Sequence, residues 1–351
     1  MDFQLSDDQR AMRAGMRDLL GAVFDRDRLR AAVERDGALD RSLWRELGAA
    51  GFFALRLPEE AGGVGLGLPE AVLLFEEAGR ALLPGPLVAT HLAAGLVKGV
   101  AEGEAVVTAV AGELPVAHLA EADAVLVVGA EPPAAESLTG EALRAFVAAA
   151  RPVRSMDPLT PLHRAPAASV RTRANAERAP AATERTPAHA GRFRFEAALL
   201  TAAEQLGSAA RTIEAAVQHA GSREQFGSPV GAFQAVKHLC ADMLARTEPA
   251  RAAVYAAAVT GDPVEIAAAK LLADEAAVRN ARDCLQIHGG MGFTWEADVH
   301  LHLKRAWLRA ASWLTGAGAE ELLAADLGAA GRLPRSSAAP GRPVPEAGGG
   351  G

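Results

Sequence analysis

Between Phe195 and Thr315 the chain carries four apolar stripes at helical spacing, joined by short links, and few folds accommodate such a series. The first stripe, Phe195, Leu199, Ala203, Leu206, Ala210, Ile213 and Val217, predicts one long helix running to about Ala220. The second is expected to open with Ser228 as N-cap and Pro229 in the first helical position, and its buried face would be Phe233, Val236, Leu239, Cys240 and Met243. Asp262 and Pro263, with Glu265 following, start the third, which runs to a cluster of glycines. The fourth spans about Ala297 to about Thr315. Such helices in series, with short connections, form a four-helix bundle.

The remainder is organised differently. Ser6 and Gln9 form a capping-box pattern ahead of Met12, Met16, Leu19, Leu20 and Val23, so a helix begins near Ser6. Helical patterns follow from Arg41 to Gly51 and from Pro69 to about Leu83, separated by the turn-forming LPEEAGGVGLG. After Glu102, EAVVTAV and DAVLVVG are short, valine-rich and bounded by turn residues, as buried strands are. From Arg151 to about Gly191 the chain is rich in Pro, Arg, Thr and Ala and reads as loop or linker. The expected fold is mainly α with a small β middle domain: 1–101 helical, 102–191 reduced β domain and linker, 192–330 four-helix bundle, and 331–351 a disordered tail.

Composition excludes some functions. A net charge of -7 lacks the basic excess that a general nucleic-acid surface needs. No window approaches the roughly 20 apolar residues of a membrane span, and no signal peptide opens the chain, so a soluble cytoplasmic protein is expected. Cys240 and Cys284 are separated in sequence and read as buried free thiols. His288, His300 and His302 do not suggest a metal site, because His300 and His302 point to different faces of one helix.

Two turns in the bundle carry chemistry. SREQFGSPVGAFQ, residues 222–234, holds Arg223, Gln225, Phe226 and Gln234 near a helix N-terminus. A guanidinium beside free N–H groups and a positive dipole end suits a phosphate or pyrophosphate. A solvated arginine in an ordinary interhelix turn is the plain alternative. In QIHGGMGF, Gln286 precedes Gly289 and Gly290, and these glycines serve either a helix cap or close approach of a ligand.

REQFG followed by AFQAVKHLCADM, together with LQIHGGMGFTWEADVHLHLKRA, resembles the C-terminal domain of the acyl-CoA dehydrogenase family. DFQLSDDQRAMR, LWRELGAAGFFALRLPEEAGGVGLG and FEEAGRALLPGPL resemble its N-terminal helical domain, so the resemblance covers most of residues 1–100 and 195–310. It implies an N-terminal helical domain, a middle β domain and a C-terminal bundle, with FAD held where subunits meet. By the resemblance Arg223 and Phe226 lie by the pyrophosphate and adenine of a neighbouring subunit's FAD, Gln225 and Gln234 belong to the same site, and Gln286, Gly289 and Gly290 belong to the element that the partner subunit presents to the adenosine side of the cofactor. An acyl-CoA substrate, a homo- or hetero-oligomer with another acyl-CoA dehydrogenase subunit, and an electron-transfer flavoprotein as electron acceptor are likewise implied.

The chemistry needs a carboxylate base beside a flavin electron sink. The family's usual glutamate falls in RAASWLTGAG, residues 309–318, where there is none, and the alternative position on the first bundle helix falls on Ala197. Glu196, one residue and about 100° away, and Glu204 are the weak candidates. The Thr-Glu-Pro and Gly-Ser features that precede the family's flavin-covering strands are also missing between Glu102 and Gly191. Three readings follow: the base-lacking subunit of a heteromeric dehydrogenase, a self-sufficient dehydrogenase with an unrecognised base, or a nonenzymatic flavoprotein or structural helical oligomer.

Overall fold

A computed structural model describes residues 4–112, 114–128, 136–165 and 188–330; the expected tail and residues 166–187 of the expected linker lie outside them. Helices α1 (Asp7–Val23), α2 (Arg26–Glu34), α3 (Arg41–Ala49), α4 (Leu68–Arg80) and α5 (Leu87–Ala93) open the chain. Both halves of the Ser6 and Gln9 capping box form, each side chain accepting from the other residue's backbone N–H at 3.1 Å. Asp25 and Asp40 cap α2 and α3 in the same manner, accepting from Arg28 N–H and from Ser42 and Leu43 N–H. Sequence periodicity did not reveal α2, whose buried face is only Leu29 and Ala32.

The middle segment builds two small sheets. In the first, β1 (Val107–Ala111) pairs in parallel with β3 (Ala124–Val128), and β4 (Glu136–Leu138) adds antiparallel to β3. All five residues of β3 are buried, which explains its unbroken apolar run. In the second, β6 (Leu162–Arg164) lies between β2 (Val116–Ala117) and β5 (Arg151–Val153). The expectation of a linker starting at Arg151 is therefore corrected for residues 151–165. Leu143 and Phe146 of α6 (Gly140–Ala149) pack into the core of the first sheet.

The bundle consists of α7 (Ala188–Ser222), α8 (Gln234–Thr260), α9 (Pro263–His288) and the shorter α10 (Val299–Ala310), followed by α11 (Gly316–Ala330). Ser228 and Pro229 do not start α8. Phe226 and Gly227 both take positive φ, 53° and 78°, which reverses the chain and pairs β7 (Glu224–Gln225) with β8 (Ser228–Pro229) as a hairpin. The fourth stripe also breaks early: α10 ends at Ala310, and Trp313, at φ 61°, turns the chain into α11.

Contact between the N-terminal helices and the bundle depends on two glycines. A Cβ on Gly79 would stand 2.0 Å from the Glu204 carbonyl oxygen, and one on Gly207 would stand 1.8 Å from that of Glu76, so α4 and α7 touch backbone to backbone. The neighbouring buried glutamates are satisfied by partners: Glu77 accepts from Arg17 at 2.6 and 2.8 Å, and Glu76 accepts from Arg251 and from the Tyr255 hydroxyl. Arg305 of α10 joins all three parts, its Nε donating to Asp157 at 2.6 Å and its Nη1 to the Leu83 and Leu82 carbonyls at 2.9 and 3.3 Å.

Candidate functional site

Because α7 and α9 end, and α8 begins, at one end of the bundle, the hairpin after α7 and the glycine turn after α9 lie together there. His219 in the last turn of α7 stacks on His288 at the end of α9, with ring centroids 4.1 Å apart and planes 23° from parallel. Arg223, Gln225 and Phe226 on the hairpin, Gln234 at the first position of α8, and Gln286, Gly289 and Gly290 after α9 are all exposed. Sequence reasoning located the two turns but not the histidine pair between them, since a single histidine on each of two separate helices carries no spacing signal.

The hairpin presents its groups outward by construction. Phe226, in a left-handed conformation uncommon for any residue but glycine, is 95% exposed. Arg223 makes no ion pair or side-chain hydrogen bond among the described residues, in contrast to most arginines of this chain. Gly289 takes φ 61° and ψ −141°, a region open only to glycine, and nothing lies within 4 Å of the place a Cβ would occupy on it or on Gly290. Met291, Phe293 and Trp295 follow at 52%, 76% and 61% exposure. The expected buried face of α8 is open as well: Met243 is buried, but Phe233 is exposed and Val236, Leu239 and Cys240 are only half-buried. Cys240 and Cys284 are both free, and Cys284 alone is buried, so the expectation of two buried thiols is corrected. The first turns of α8 extend beyond anything this chain packs on them.

The two base candidates sit elsewhere on α7. Glu204 is eighteen residues from Ser222, about 27 Å along the helix. Glu196 lies about two turns into α7, which begins at Ala188. It accepts from Arg56 at 2.8 Å and from Arg192 at 2.7 Å. Burial works against its charge, but the two arginines prevail and hold the carboxyl below its ordinary range. Glu204, in contrast, is fully enclosed, and burial pushes its carboxyl up in spite of Arg309, whose Nη2 donates to it at 2.7 Å. The same burial lowers the Arg309 guanidinium to about 10. Glu204 and Arg309 line a cleft of about 140 Å³ between the start of α5, the β2 and β6 edge, α7 and α10. Sequence reasoning missed this cluster, whose one local trace is an arginine pair four residues apart on α10, Arg305 and Arg309.

Of the histidines not expected to share a metal, His302 is buried and bonded to the Ser208 hydroxyl at 2.7 Å, while His300 sits edge-on to Trp295. No helix among the described residues is long and apolar enough to cross a membrane.

Comparison with known proteins matches residues 6–102 to the N-terminal domain and residues 191–331 to the C-terminal domain of acyl-CoA dehydrogenase. Acyl-CoA dehydrogenase IpdE2 of Mycobacterium tuberculosis is 37% identical over 284 residues, 79% of this chain and 84% of that protein. The chain belongs to the acyl-CoA dehydrogenase family. Acyl-CoA dehydrogenase FadE34 of the same organism is 35% identical over 85% of this chain, yet that match takes up only 46% of FadE34. Among solved structures, the ChsE4-ChsE5 complex from Mycobacterium tuberculosis superposes with a TM-score of 0.75 at 23% identity, covering 95% of this chain and all of that one. As a member of the acyl-CoA dehydrogenase family the chain is an FAD-dependent oxidoreductase of acyl-CoA thioesters. The bundle end fits that cofactor in kind: an unpaired guanidinium for a pyrophosphate, an exposed aromatic ring for a nucleobase, and open glycine backbone for close approach.

Proposed function

We propose that the chain is the base-lacking subunit of a heteromeric acyl-CoA dehydrogenase, completing an FAD site with a second, unlike subunit. One observation carries this reading: Glu196, the carboxylate beside the expected base position, is held by Arg56 and Arg192, which keep it below its ordinary range. A base must change its protonation during turnover, and a carboxylate fixed in an ion pair resists that change. The match to only 46% of FadE34 supports a companion unit, because it leaves a similar length of that protein for another. So does the resemblance in fold to a chain from a complex of two differently named subunits.

In this reading Arg223 neutralises the cofactor pyrophosphate, Phe226 stacks on its adenine, and Gln225 and Gln234 donate to its polar edges. Gln286 and the backbone at Gly289 and Gly290 face the adenosine of a second cofactor. FAD supplies the hydride acceptor for the acyl β carbon. The proton from the α carbon goes to a carboxylate of the partner, and electrons leave to an electron-transfer flavoprotein. The chain divides functionally at 1–101, 102–191 and 192–330, and works in the cytoplasm.

The test is to purify the chain alone and with a co-expressed acyl-CoA dehydrogenase-like partner, then count flavins per chain and follow bleaching of the flavin absorbance by an acyl-CoA. Bleaching only in the complex is expected. Bleaching by the chain alone, lost in Glu204→Gln, would make Glu204 the base and overturn the proposal.

A further inference from the structure

One turn beyond the apolar cluster of Ala216, Cys284 and Leu285, α7 and α9 meet through His219 and His288, whose rings stack 4.1 Å apart and 23° from parallel. Each ring is tied to one of the two turns. The His219 carbonyl accepts from the Arg223 N–H at 2.8 Å, and the Arg223 carbonyl accepts from the Val230 N–H at 2.7 Å, so the hairpin is built directly on this residue. On the other side, His288 immediately precedes Gly289, and a Cβ on Gly292 would stand 3.1 Å from the His288 Cβ, so the glycine turn folds back against it. Among the described residues no hydrogen bond or ion pair joins one turn to the other. The stack is the directional contact between them.

The two rings are oriented by different means. His288 Nδ1 lies 2.8 Å from the Cys284 carbonyl oxygen, which can only accept, so Nδ1 carries the proton and the ring is fixed by its own helix. His219 makes no side-chain hydrogen bond or ion pair among the described residues, and its ring is oriented by the stack. We propose that His219 and His288 are positioning residues for the flavin, their stacked rings holding the Arg223 hairpin and the glycine turn at the separation cofactor binding needs, a role that rests on the flavin reading of those turns. Removing either ring removes the same single contact, so the two losses do not multiply, whereas two rings that each touched the cofactor would lose separately. A phenyl ring at position 219 keeps the stack. Alanine and glutamine are good helix formers that do not.

The test follows FAD dissociation from the full chain assembled with its co-expressed partner, by recovery of flavin fluorescence, in His219→Ala, His219→Gln, His288→Ala, the double alanine variant and His219→Phe, each confirmed folded by thermal melt. Loss of one aromatic pair is expected to weaken retention about five- to tenfold in each single variant lacking a ring. The double alanine variant should be no weaker than the weaker single, and His219→Phe should hold flavin within about twofold of wild type. Wild-type retention in His219→Ala or His219→Gln, multiplied losses in the double variant, or a His219→Phe as weak as His219→Ala each overturns the proposal. Arg223→Ala separates this failure from that of the flavin reading: if Arg223→Ala loses flavin and His219→Ala keeps it, only the positioning role falls, while an assembly that holds no flavin overturns both.

Discussion

The middle and the last turn of α7 put polar chemistry to opposite use. Near Glu204 nearly every charge is answered inside the chain: Lys270 pairs with Asp274 and donates to the Arg309 carbonyl, Gln205 bridges Asp274 and the Ala306 carbonyl at 2.9 Å, and Arg309 holds Glu204. At the hairpin the reverse holds, with Arg223 unpaired and Phe226, Phe293 and Trp295 in solvent. In the proposed reading, a chain that closes the place where a base would act and opens the place where a cofactor would lie between subunits is complete for assembly and incomplete for chemistry. Exposed aromatic rings such as Phe226 and Phe233, 6.2 Å apart at this end, mark an interaction surface.

The sharpest way to break the closed end is Arg309→Ala. It strands a buried carboxylate, and we expect a loss of about 3–5 kcal/mol in chemical denaturation at neutral pH. The sign in pH follows from Glu204, whose folded carboxyl lies above its unfolded range. Its contribution favours folding below the unfolded value near 4.5 and is lost as pH rises through the folded one, so the variant should regain part of its stability on mild acidification. A loss that does not depend on pH would show that packing, not the charge, was removed. Next comes Gly207→Ala, where the new methyl meets the Glu76 carbonyl and must push α4 from α7; about 2–3 kcal/mol is expected, with flavin affinity at the far end unchanged once folded.

Arg223→Ala tests the open end. Folding should be unaffected, because the side chain touches nothing that the fold needs, while FAD should dissociate about tenfold more readily from the assembled enzyme, as loss of one charged hydrogen bond implies. Retention at the wild-type level would remove the pyrophosphate assignment and leave a solvated turn.

Much of this contrast was legible in the residues. Helical spacing located α7, α9 and the N-terminal α1, and the two turns carried the family resemblance, because turn chemistry is written in contiguous residues. What was not legible depended on contacts distant in sequence. Arg309 meets Glu204 across 105 positions and Arg305 meets Asp157 across 148, and no local pattern encodes such a pairing. The start of α8 was misplaced because Ser-Pro is a sound helix-start signal, overridden here by the positive φ of Phe226 and Gly227 two residues earlier. Cys240 was placed inside because helical spacing shows which residues share a face but not whether the chain itself covers that face.

The smallest effect is the most discriminating. Glu196 lies on the same helix as Glu204, but Arg56 and Arg192 hold its charge, so it is present as carboxylate through the whole neutral range. Its folded carboxyl lies below the unfolded value, and its stabilising share is therefore full above about pH 4.5 and fades only as pH falls through the lower folded value. Glu196→Gln should accordingly cost about 1 kcal/mol of stability at pH 7, less as the solution is acidified, and leave the rate of flavin bleaching in the assembled enzyme within about twofold of wild type. An acyl-CoA base replaced by its amide would instead lose about a hundredfold or more in that rate with stability barely changed. Because the two outcomes move different observables, one substitution decides whether the far end of α7 is structural, as its two arginines imply, or whether the chain keeps a base of its own.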